Sequence, residues 1–89
     1  MLTHKITIIN KLGLHARAAS KLVSTASEFE SDVHLRCNGQ KVDAKSIMGI
    51  MMLAAGIGTE VELIADGPDE KDAISTLTAL FAARFGEDE

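Results

Sequence analysis

Apolar and polar residues alternate along this chain with two different periods, and the switches between them mark its elements. Over residues 3–9, Ile6 and Ile8 fall on one side and Lys5, Thr7 and Ile9 on the other, which predicts a first strand with Ile6 and Ile8 inward. Asn10 and Gly13 interrupt it. From Ala16 the period lengthens: Ala19, Leu22, Val23 and Ala26 make one apolar stripe at helical spacing, with Ser20, Lys21, Ser24 and Ser27 toward water. The polar stretch 28–31 around Phe29 closes that helix. Val33, Leu35 and Cys37 then alternate with His34 and Arg36, as in a strand buried on one side only. Asn38-Gly39 is the signature of a tight hairpin, so residues 40–43, with Val42 inward, form the returning strand.

Ser46 precedes the run Ile47-Met48-Gly49-Ile50-Met51-Met52-Leu53 and reads as the N-cap of a short helix closed near Gly56. That run is apolar on nearly every side. A helix so short cannot bury all of it, so part of its face is expected in water. Residues 59–65 alternate again, with Val61, Leu63 and Ala65 inward. After Gly67-Pro68, Asp69, Glu70 and Asp72 load the start of a third helix with the negative charge its dipole favours. Its stripe is Ala73, Ile74, Leu77, Leu80 and Phe81, it runs up to Gly86, and residues 87–89 read as a frayed acidic end. The order β-α-β-β-α-β-α, with every strand alternating, predicts an α+β fold in which an antiparallel sheet has helices on one face and water on the other. At 89 residues the chain is expected to be a single domain spanning 1–89.

Composition removes several functions. A net charge of −4 and three Phe as the only aromatic residues leave neither a basic footprint nor stacking rings for nucleic acid. No apolar run approaches the roughly twenty residues of a membrane span, and the first residues enter the strand pattern with no signal-peptide core, so a cytoplasmic protein without a membrane partner is expected. Cys37 stands alone, and His4 and His34 lack a third ligand at metal spacing. No metal and no cofactor is therefore expected.

The candidate chemistry lies at residues 10–19, where strand gives way to helix. His15 falls at or beside the N-cap of the first helix, whose leading N–H groups lack internal partners and carry roughly half a positive charge, so an anion can be held there. Arg17 adds a planar donor fork suited to phosphate oxygens. Such a corner suits exchange of a phosphoryl group between two nitrogen nucleophiles, which needs positioning and charge stabilisation more than acid–base work. From spacing alone, however, His15 is as well a surface residue without a task, Arg17 a solvated helix charge, Ser46 a plain cap, and Met48, Met51 and Met52 flexible core filler.

Gly13-Leu14-His15-Ala16-Arg17-Ala18-Ala19 together with Lys45-Ser46-Ile47-Met48-Gly49-Ile50-Met51 resembles the HPr family, the histidine-containing phosphocarriers of the bacterial phosphotransferase system. The resemblance covers essentially the whole chain and implies an open-faced β-sandwich: a four-stranded antiparallel sheet with three helices on one face. It further implies that His15 takes a phosphoryl group on Nδ1 from the phosphohistidine of enzyme I and passes it to enzyme IIA domains. Ala16 and Arg17 would hold the phosphate, and Ser46 would be the serine marked by HPr kinase/phosphorylase. Leu14, Ile47, Met48, Met51 and Met52 would be where partners dock on a monomeric carrier. One departure is Ala18, where the commonest family pattern has Pro; loss of the fixed φ removes some rigidity and leaves the helix N-terminus in place. The approach 10–13 and the ending 81–89 are similar to the nitrogen-regulatory paralogue NPr. Two rival readings are a small-ligand regulatory domain, since ACT-like modules share the opening element order, and a structural interaction domain using the Met face.

Overall fold

A computed structural model of the chain describes all residues from Met1 to Glu89. Its elements are β1 (Leu2–Thr7), α1 (Ala16–Ala26), β2 (Asp32–Cys37), β3 (Gln40–Asp43), α2 (Ile47–Met52), β4 (Glu60–Asp66) and α3 (Glu70–Ala82), followed by a 3-10 turn at Arg84–Gly86. The strands form one sheet in the order β1-β4-β2-β3, antiparallel throughout. Register follows the pleat. Ile6 lies opposite Val61, while Leu63 faces Leu35 and Leu35 faces Val42, so one row of apolar side chains crosses the sheet beneath the helices. Against this row α1 buries Ala18, Ala19, Leu22 and Ala26, α2 buries Ile50, and α3 buries Ala73, Leu77 and Phe81. Each fully buried Leu, Ile or Phe contributes roughly 1.5–3 kcal/mol of transfer free energy. The other face of the sheet is polar: Glu62 is flanked in register by Lys5 and Arg36 and pairs with the Arg36 guanidinium.

The element order, the antiparallel sheet and the placement of the helices agree with the reading of the sequence, and the differences lie at element ends. Pairing in β1 starts at Leu2 and stops at Thr7, two residues short of the predicted end. Ile8 is nevertheless buried: its N–H donates to Thr59 O at 2.9 Å and its carbonyl accepts from Gly58 N at 2.8 Å. In α1 the stripe is built on Ala18 where Val23 was expected, and Val23 is only half-buried. Helix α2 closes at Ala54, which takes φ +50°, two residues before Gly56. The ending of the chain differs most. Helix α3 stops at Ala82, and Arg84, Phe85 and Gly86 all adopt positive φ, turning the chain back so that the Phe85 ring packs edge-to-face on Phe81 with centroids 4.9 Å apart.

Candidate functional site

The loop from Asn10 to Leu14 is a rigid platform, because each of its residues but two is committed to the interior. Asn10 is buried, and its Nδ2 donates to Gly13 O at 2.8 Å. Gly13 has φ +63°, and a Cβ there would come within 2.5 Å of Ala55 O and 2.6 Å of Gly56 Cα, so only glycine fits. Leu14 N–H donates to Ala55 O at 2.9 Å, which ties this loop to the one that follows α2. The Leu14 side chain is 4% exposed and belongs to the core. That corrects its expected place on the docking face: a side chain enclosed on all sides supports the loop and presents nothing to a partner.

His15 is the N-cap of α1, with extended backbone at φ −72° and ψ 177° and its carbonyl accepting from Ala19 N at 2.8 Å. Its ring stands at the mouth of the helix, side chain 26% exposed, with two distinct edges. At the surface, Nδ1 accepts from the Arg17 backbone N–H at 3.4 Å, a long contact that leaves the lone pair lightly held. On the interior edge, Nε2 lies 2.5 Å from Glu87 Oε2. The Arg17 side chain is exposed and lines a hollow of about 430 Å³ with Lys11, Leu12, Lys21 and residues 86–89. No acidic residue occupies the first turn of α1, whereas α3 carries Glu70 and Asp72 there. The positive end of the α1 dipole is thus left for a ligand.

Glu87 is the residue that sequence reasoning missed. Residues 87–89, expected to fray, are held at both ends: Lys21 Nζ donates to Phe85 O at 2.6 Å, and Lys11 N–H donates to Glu89 O at 3.1 Å. Between them the Glu87 carboxylate accepts from Asn10 Nδ2 at 3.0 Å and meets His15. Burial works against ionisation of Glu87, but the hydrogen bonds from Asn10 and His15 and the nearby Arg17 charge outweigh it and hold the carboxyl below its ordinary range. The corner is therefore not uniformly positive. The one sequence signal for this was Phe85-Gly86, an aromatic followed by a helix stop, which asks where the ring is buried.

The other candidates gather on α2. Ser46 caps it, its Oγ accepting from Gly49 N–H at 3.2 Å, as the sequence predicted. Ile47, Met48, Met51 and Met52 are exposed, Met48 at 70%, while Ile50 alone anchors the helix. Leu12 and Ile57, also exposed and unremarked in the sequence, lie on the loops flanking Gly13 and following α2. Helices α1 and α2 are in direct contact, so His15 and the Met-bearing helix belong to one end of the molecule.

The family model described as the PTS HPr component phosphorylation site matches residues 2–83. The chain belongs to the PTS-HPr family. Phosphocarrier protein HPr of Cupriavidus necator is 62% identical over 89 residues, covering 100% of each chain. A crystal structure of HPr-C-His from Thermoanaerobacter tengcongensis has a TM-score of 0.97 and 47% identity, again over 100% of both chains. An HPr dimer from the same organism matches with a TM-score of 0.79 and 48% identity, over 98% of this chain and 100% of that one. The chain is accordingly a phosphocarrier of the phosphotransferase system, and the ACT-like reading finds no support among these relatives. No helix is long and apolar enough to cross a membrane. Glu87 lies beyond the segment that the family model matches.

Proposed function

We propose that the chain works as a one-domain, monomeric carrier in the cytoplasm, taking the phosphoryl group on His15 Nδ1 from the phosphohistidine of enzyme I and delivering it to enzyme IIA domains. The observation that carries this reading is the asymmetry of the imidazole. Its Nδ1 lone pair sits at the surface at the open N-terminus of α1, beside the Arg17 N–H, while its other nitrogen is engaged in the interior. In the transfer the Nδ1 lone pair forms a bond to phosphorus as the donor N–P bond breaks, with that electron pair returning to the donor ring. No water enters and no proton need move at Nδ1. Backbone N–H groups at Ala16 and Arg17 and the Arg17 guanidinium meet the charge on the phosphoryl oxygens.

Exposed Ile47, Met48, Met51 and Met52 form the face on which both partners dock, since side chains that bury little within the fold are free to bury against another protein. Ser46, half-exposed at the start of that face, is the residue a HPr kinase/phosphorylase would mark. The test is mass spectrometry after incubation with enzyme I and phosphoenolpyruvate, before and after mild acid. One acid-labile phosphate on the parent and none on His15→Ala is the expected result. A His15→Ala protein that still accepts phosphate overturns the assignment.

A further inference from the structure

We infer that Glu87 is a positioning residue for phosphoryl transfer, holding the His15 ring with its proton on Nε2 both at rest and when Nδ1 carries the phosphoryl group. The inference deepens the proposed function and rests on its placement of the phosphoryl group at His15. An ionised carboxylate has no hydrogen to give, so the ring nitrogen 2.5 Å from Glu87 Oε2 must be the N–H. The other nitrogen accepts from the Arg17 N–H and must hold the lone pair. Both contacts select one tautomer, the one with its nucleophilic nitrogen outward.

The mount is stiff. The other Glu87 oxygen is held by Asn10, which is buried and is itself fixed on Gly13 O. The Glu87 side chain is 13% exposed, and its N–H donates to Arg84 O at 3.0 Å, so the carboxylate follows the turn that the buried Phe85 anchors. Charged groups face this pair from each side: Lys11 from the loop after β1, Arg17 and Lys21 from α1, and Asp88 and Glu89 from the chain end. The loop packed beneath, residues 54–58, contributes no titratable group.

The consequence lies in the second half of the carrier's cycle. When Nδ1 bonds to phosphorus and Nε2 keeps its proton, the ring becomes cationic, and the Glu87 carboxylate is the anion in contact with it. On delivery the N–P electron pair returns to Nδ1 and the group leaves a neutral imidazole. If the ring first lost its Nε2 proton, the same step would expel an imidazolate, a much poorer leaving group. By holding that proton, Glu87 keeps the phosphorylated carrier in its transferable form to higher pH. An opposite charge in contact moves a titration by about 1–3 pH units, so the effect is large enough to measure.

Nitrogen-15 NMR of His15 together with Glu87→Gln tests this, since glutamine keeps the size and an acceptor oxygen but not the charge. The resting parent should show the proton on Nε2. In the phosphorylated protein the pH at which Nε2 deprotonates should fall by at least about one unit in Glu87→Gln, and above that pH delivery to enzyme IIA should slow about tenfold. Equal midpoints in parent and Glu87→Gln, or a resting parent protonated on Nδ1, overturn the inference. The resting tautomer reads out without any phosphoryl transfer, whereas failure of the parent to become phosphorylated on His15 sinks the carrier assignment itself, so the two failures are distinguishable.

Discussion

Replacing Phe85 by Ala should detach the end of the chain from the site it supports. The ring is 1% exposed and packs on Phe81, which is itself 2% exposed. Phe→Ala in a core costs about 3–5 kcal/mol when the site cannot collapse. Here it can relax in part, because residues 86–89 lie at the surface, are held there by a few hydrogen bonds, and can leave it. Leaving forfeits the Glu87–His15 contact together with the Lys21–Phe85 and Lys11–Glu89 contacts, and the latter two are partly solvated and contribute at most about 1 kcal/mol each. The expected loss is therefore about 2–3 kcal/mol, with the urea midpoint falling at unchanged slope if the rest of the fold holds. A second readout is local: the Lys11 amide, which donates to Glu89 O, should exchange quickly in Phe85→Ala while amides paired between β2 and β4 keep their relative protection. A loss under about 0.5 kcal/mol with the Lys11 amide still protected would show that Phe85 does not anchor the tail.

Arg17→Ala should slow acceptance from enzyme I without abolishing it, since the helix N-terminus keeps its N–H groups, and Arg17→Lys should fall between; equal rates for all three would make Arg17 a bystander. Met48→Glu should weaken binding of enzyme I and enzyme IIA together while shifting stability by less than about 0.5 kcal/mol, because the side chain is 70% exposed; a large drop in melting temperature would instead mark a core residue. Acid should weaken the fold through three carboxyls, of which Glu70 is held below the ordinary range chiefly by the Gly67 N–H. Asp69 is held below the ordinary range chiefly by the Ser31 hydroxyl and the Glu30 N–H; in Glu87, burial is outweighed by Asn10 and His15. All three pKa values are lowered on folding, so their stabilisation is complete above the unfolded-state value of about 4 and is lost as pH falls through the folded values. Urea midpoints should thus decline below about pH 4, and less steeply in Asp69→Asn with Glu87→Gln. Ser46→Ala should lose about 1 kcal/mol of capping and transfer normally, whereas Ser46→Asp should keep its stability and accept phosphate more slowly; Ser46→Asp transferring at the parent rate would leave Ser46 only a cap.

What the sequence made legible was whatever depends on short spacing. The alternation around Leu35 and Leu63, the Asn38-Gly39 turn, the stripe through Leu22 and the Ser46 cap each follow from a few neighbouring residues, and each is present. The illegible features depend on contacts across the chain. Leu14 sits in a motif that points to docking, yet its side chain lies in the core and its N–H is bonded to Ala55 O, far along the chain. Glu87 stands 72 residues from His15, in a segment whose acidic composition reads as a solvated end. Its placement follows from Phe85, whose positive φ no propensity favours and whose burial outweighs that cost.

A carboxylate beside a histidine is the usual means of making it a base toward water, and a carrier must avoid that. The geometry at His15 separates the two roles. Glu87 meets the ring on Nε2, at the interior edge, while a phosphoryl group on Nδ1 would project from the opposite side into solvent beside Arg17. The carboxylate can therefore influence the N–P bond only through the ring. It cannot reach a water lined up behind the phosphorus, which would require an acceptor within about 3 Å of that water. The hollow beside Arg17 is lined by the cations Lys11, Arg17 and Lys21 and also by Glu87, Asp88 and Glu89. Of the three carboxylates only Glu87 touches the ring, and it does so at Nε2. Moving the carboxylate to the Nδ1 side, as in Arg17→Glu, should thus shorten the lifetime of any phosphohistidine still formed, and a lifetime unchanged from the parent would show that charge placement around the ring does not protect it.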